Sequence, residues 1–153
     1  MSRNSKESAN NKVKPLSTHL KEKREKILKI LENLKEESEK GTPIIVEGKK
    51  DIQALRTFDI KGKIISAKTG GKSFLDVIYE VENTKKREVI LLLDFDRRGK
   101  ELTKNLKKYL ETTGIKLNLT FWKKLSSLVG TEVKDVEGLA TYMETLKSKI
   151  NNS

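Results

Sequence analysis

At 153 residues the chain has room for one domain built around one modest core. It has no cysteine and a single histidine, His19, which excludes a disulfide frame, a thiolate zinc site, a cysteine nucleophile and a Ser-His-Asp relay, so any chemistry falls to carboxylates. The 33 Lys and Arg against 22 Asp and Glu leave a net charge of +11 that attracts polyanions, and without an apolar run of about 18 residues or a hydrophobic signal sequence the expected partner is nucleic acid, with no membrane and a cytoplasmic location.

Residues 1 to 17 are Ser, Asn and Lys with almost no large apolar side chain, so they are expected to form a flexible basic arm. From 18 to 40, Leu20, Ile27, Leu28, Ile30, Leu31 and Leu34 recur at helical spacing and predict an amphipathic helix, ended by Gly41 and Pro43. Residues 41 to 150 then alternate short apolar runs with amphipathic stretches. Strands are expected at Ile44 to Glu47, Gly62 to Ser66, Glu88 to Asp94 and Leu117 to Phe121. Helices are expected from Lys49 to Phe58, from the Gly70-Gly71 turn to Asn83, and from Arg97 to Thr113, with one or two more after Lys123. The unbroken run Val89-Ile90-Leu91-Leu92-Leu93 marks the third strand as central and buried on both faces. The pattern is that of an α/β sandwich around a mostly parallel four-stranded sheet, plus an N-terminal helix.

In such a sheet, sites form beyond the carboxyl ends of the strands, and acidic residues fall there. Glu47 closes the first strand, while Asp94 and Asp96, two apart, close the central one. Three carboxylates without histidine make a hard oxygen site suited to Mg2+ or Mn2+. The competing reading is that Asp96 and Glu47 cap the helices that follow them; it leaves unexplained why an apolar strand should finish in two mutually repelling carboxylates.

Ile44-Ile45-Val46-Glu47-Gly48-Lys49-Lys50-Asp51, followed some fifty residues on by Leu93-Asp94-Phe95-Asp96-Arg97-Arg98-Gly99, resembles the paired signature of the Toprim domain, shared by topoisomerases, bacterial primases, certain nucleases and a ribosomal RNA maturase. The resemblance runs from Ile44 to Phe121 and is strongest to the short archaeal stand-alone members, and Val133 to Leu139 resembles the tail of the maturase. It implies a Toprim-like, Rossmann-like fold in which Asp94 and Asp96 hold magnesium and Glu47 is a metal ligand or general acid. Lys100 stands where the topoisomerases often carry an acidic residue, with Glu101 one place later, so a further ligand from that turn is not expected. Neither a topoisomerase gate nor a primase zinc module has room here. The expected function is therefore that of a small nuclease or RNA-processing factor, or of a non-catalytic RNA-binding module within a larger RNA-processing assembly.

Several cations flank this region. Arg97, Arg98 and Lys100 beside the second motif, and Lys49 and Lys50 beside the first, are candidates to grip phosphates, although each also fits a solvated helix start. Thr69-Gly70-Gly71-Lys72-Ser73 is not a nucleotide P-loop, which would need glycine where Ser66 stands, but its backbone and Lys72 could still meet a phosphate. Asp135 and Glu137 could reach the site from the tail, but are expected in the first turn of a tail helix, with Phe121 and Trp122 in the core and His19 at the surface.

Overall fold

The computed structural model describes residues 15–152. The expected arm therefore lies almost wholly outside the described residues, and helix α1 (Leu16–Glu39) begins two residues ahead of the prediction. It ends where Gly41 takes a left-handed φ of 98° and donates its N–H to the Ser38 carbonyl, a common way for a helix to stop. Ile27, Ile30, Leu31 and Leu34 form its buried stripe, whereas Leu28 points to solvent.

Strand β1 (Ile44–Val46), helix α2 (Lys49–Thr57), strand β2 (Ile64–Ser66), helix α3 (Phe74–Asn83), strand β3 (Glu88–Leu91), helix α4 (Arg97–Thr112) and strand β4 (Lys116–Asn118) then alternate. The sheet is parallel throughout, in the order β2-β1-β3-β4, with Ile44 opposite both Ile64 and Ile90, and Val89 opposite Leu117. Successive strand residues face opposite layers. Ile44, Val46, Ile64, Ile90 and Leu92 pack on one side against α1, α2 and the two C-terminal helices, α5 (Thr120–Val129) and α6 (Val136–Asn151). Ile45, Ile65, Val89, Leu91 and Leu93 pack on the other against α3 and α4. β1 and β3 are thus buried on both faces, as their unbroken apolar sequence requires.

Two local expectations are corrected. The fourth strand stops at Asn118, whose Oδ1 accepts the Thr120 N–H at 3.0 Å, and Phe121 and Trp122 belong to α5. Phe121, Leu125 and Val129 repeat every four residues, and that helical period outweighs the apolar character of Leu117 to Phe121. The glycine pair does not open a helix either. Gly70 and Gly71, with φ of 68° and 71°, sit in a separate 3₁₀ turn (Thr69–Gly71), and α3 starts from Ser73, whose Oγ accepts the Asp76 N–H while Asp76 accepts the Ser73 N–H. Among the described residues, no helix is long and apolar enough to cross a membrane.

Candidate metal centre

Beyond the carboxyl ends of β1 and β3 the chain gathers four acidic side chains. Glu47 follows β1 and is buried; its Oε1 accepts the Asp94 N–H at 3.3 Å, and its Oε2 lies 3.3 Å from the Lys68 Nζ. Asp94 leaves the sheet just after Leu92, which is still paired to Ile45 through its N–H. Asp51 sits in the first turn of α2, also buried, where its two oxygens accept the N–H groups of Gly48 and Glu137, each at 3.0 Å. Asp135 caps α6, accepting the Gly138 N–H at 2.6 Å. Asp51, Asp94 and Asp135 each present a carboxylate oxygen within 4.8 Å of the other two.

The backbone around this pocket is tightly determined. The Trp122 indole N–H reaches the carbonyls of Leu93 (3.0 Å) and Asp94 (3.3 Å), and the Phe95 N–H reaches the Lys134 carbonyl at 2.7 Å. The start of α5 and the loop before α6 are thereby stitched onto the end of the central strand. Gly99 packs so closely on the Asp94 carbonyl that no side chain fits there.

Crowding has an electrostatic consequence. Burial first, and then the adjacent Glu47 carboxylate, push the Asp94 carboxyl up to about 8. Burial also raises Asp51, against the pull of its two backbone N–H donors. An all-oxygen set held this close, with Asp94 and Asp51 disfavoured as anions, suits a hard divalent cation, whose charge would offset the repulsion.

Of the three expected ligands, Glu47 and Asp94 stand together, while Asp96 is turned toward α4. Its Oδ1 accepts the Gly99 N–H at 2.9 Å and its Oδ2 lies 3.9 Å from the Lys134 Nζ. Asp51, part of the first motif but not among the expected ligands, and Asp135, expected first as a helix start though able to reach the site from the tail, complete the group. Sequence does hold a signal for Asp51: a residue one turn into the helix after β1 returns to the same sheet end as Glu47. Asp135 is both cap and pocket residue, which its sequence position alone does not separate.

Among the expected phosphate-binding cations, Lys49, Lys50, Arg97, Arg98 and Lys100 are exposed in the first turns of α2 and α4. Arg97 lies 3.8 Å from Glu101. Lys72 is tied down, its Nζ 2.6 Å from Glu80 and 3.0 Å from the Ser66 carbonyl. Lys68, which no sequence motif marks, is the cation against Glu47.

Residues 42–122 match the Toprim domain. The chain belongs to the Toprim domain family. It is similar to archaeal UPF0292 proteins: 39% identical to one from Methanosarcina acetivorans, covering 82% of this chain and 85% of that one, and 38% identical to one from Methanocaldococcus jannaschii, covering 78% and 91%. A solved structure of a protein from Aquifex aeolicus superposes with a TM-score of 0.60 at 29% identity, over 71% of this chain and 94% of that one. Toprim membership carries divalent-metal binding and a nucleic-acid-related function with it. Asp135 lies outside the matched Toprim segment, so one of the three clustered aspartates comes from the C-terminal extension.

Proposed function

We propose that this Toprim protein carries out metal-assisted phosphodiester chemistry on RNA, with Mg2+ or Mn2+ held at the carboxylate pocket. The observation that carries this reading is the convergence of Asp51, Asp94 and Asp135, with Glu47 against Asp94, at the carboxyl end of a parallel sheet. When bound, the ion supplies polarisation of a phosphoryl oxygen and stabilisation of the leaving oxygen. Asp94, Asp51 and Asp135 would hold it, with Asp96 as the ligand that the Toprim motif adds.

Glu47 moves the proton in this proposal. Its carboxylate is buried beside Asp94, with Oε1 accepting the Asp94 N–H and Lys68 against Oε2, so it is held at the place where a proton would be moved. Arg97, Arg98 and Lys100 on one side, and Lys49 and Lys50 on the other, bind the phosphates that flank the reacting one. RNA is favoured over DNA because Val133 to Leu139 resembles the maturase tail and provides Asp135 to the pocket.

Incubation of the full chain with structured RNA in magnesium or manganese, beside Asp94→Ala, tests this directly. Cleavage by the parent and none by the variant is the expected result. Tight binding without cleavage in either metal would overturn the catalytic reading and leave a module that uses metal to bridge protein and RNA.

A further inference from the structure

We infer that the outer face of α4 and the aromatic cleft at its far end form a track for a single nucleic-acid strand leading away from the carboxylate pocket. The inference rests on the proposed function for the location of the reacting phosphate, and it adds the form of the substrate and its path.

α4 starts one residue after Asp96, at the pocket, and its 16 residues extend about 24 Å. Lys100, Lys104 and Lys108 stand on successive turns, each about 6 Å further from the pocket, with Lys107 beside the last. All four are exposed, and among the described residues no carboxylate lies within ion-pair distance of any of them. The helix holds two acidic residues, Glu101 and Glu111, and Glu101 faces Arg97.

A solvated helix face would account for lysines alone. It does not account for what lies where the row ends. Phe74, the first residue of α3, meets Tyr109 edge to face, with ring centroids 4.9 Å apart and planes at 63°. Together with Leu75, Asn105 and Lys108 these rings line a cleft of about 480 Å³. Tyr109 is 51% exposed and Leu75 70% exposed, so apolar surface is left open among cations. In an edge-to-face pair one ring keeps a face free, which is what an unpaired base needs for stacking, and Lys108 at the cleft wall supplies charge for the adjoining phosphate. A duplex buries its base faces and cannot use this cleft. A second copy of the chain fits it poorly, because a self-interface would bring two lysine rows together.

The full chain in metal-free buffer, titrated into a short labelled oligoadenylate and into the corresponding duplex, provides the test. Single strand should bind more tightly than duplex. Tyr109→Ala should weaken single-strand binding by roughly fivefold or more, while Tyr109→Phe keeps the parent's affinity. Lys104→Gln with Lys108→Gln should lower the slope of log affinity against log salt by about 1.4, at about 0.7 for each phosphate no longer neutralised. Manganese binding at the pocket should be unchanged in all these variants. If the Tyr109 and lysine variants bind like the parent while Asp94→Ala still abolishes cleavage, the track is overturned and the proposed function stands. If Tyr109→Ala instead splits a dimer in the ultracentrifuge without changing strand affinity, the cleft is a self-interface and the track is again overturned. Failure of the parent to bind any nucleic acid would overturn both.

Discussion

Gly99 and Asp94 are in direct backbone contact: a Cβ at position 99 would overlap the Asp94 carbonyl. That carbonyl also receives the Trp122 indole N–H, so it is held from two sides and cannot simply move away. Gly99→Ala should therefore cost about 1 to 3 kcal/mol, as over-packing does elsewhere, and should weaken metal binding by displacing the pocket's central ligand. Thermal melting with calorimetric titration of the same variant measures both. A stable protein with the parent's metal affinity would show that the turn after Asp94 is free to adjust.

The ligand set can be resolved one residue at a time. Asn is as good a helix cap as Asp, so Asp135→Asn should keep α6 intact yet lower metal affinity by about tenfold or more. Asp94→Asn should do the same. Asp96→Ala should cost about 1 kcal/mol through the lost cap of α4, a fall in Tm of about 2–4 °C. Its effect on metal affinity decides whether the Toprim motif's second aspartate turns inward when the ion binds. Trp122 is the sole tryptophan and touches the Asp94 carbonyl, so its fluorescence should report the titration. A metal response that survives Asp94→Asn would place the ion elsewhere.

The raised Asp94 carboxyl makes metal-free stability depend on pH. Its folded value of about 8 lies above the ordinary 3.8, so the folded state binds the proton more tightly than the unfolded one. This contribution is complete below pH ~4 and is lost as pH rises toward about 8. The Tm of Asp94→Asn minus that of the parent should accordingly widen across that window and level off above it. Because Asp94 is only half-buried, solvent screening should hold the gap to a few degrees. Adding magnesium at the upper end should narrow it by stabilising the parent more than the variant. Parallel Tm curves for the two proteins would contradict the assignment.

Residues 1 to 14 carry Arg3, Lys6, Lys12 and Lys14 and precede α1. If these cations meet phosphates, deleting the segment should lower the salt slope of RNA affinity by up to about 3, at about 0.7 to 0.9 per phosphate neutralised. Charge reversal at Arg97 and Arg98 should weaken binding even with the segment present. An unchanged slope after deletion would reduce the segment to a solubility tail.

Much of the fold is legible in the sequence because burial on both faces of β1 and β3 demands unbroken apolar runs, and Ile44 to Val46 and Val89 to Leu93 provide them. The end of β4 is not. Leu117 to Phe121 satisfies a strand's preference, while Phe121 also opens the helical period of Leu125 and Val129, and where the strand gives way is marked by the Asn118 side chain bonding to the Thr120 backbone, a contact that pattern alone does not reveal. In the pocket, Glu47 and Asp94 can be found because they terminate strands. Asp135 can only be named as an alternative, since nothing local distinguishes an aspartate that caps a helix from one that also faces carboxylates more than forty residues away in the chain.

The dependence of the pocket on Asp135 sets an order of events during synthesis. The last strand ends at Asn118, whereas α6, whose first turn binds Asp51 and whose cap is Asp135, comes later in the chain. All four strands are therefore made before Asp135, and the carboxylate cluster is finished only when α6 is added to the sheet face that it covers with Val136, Leu139, Met143 and Leu146.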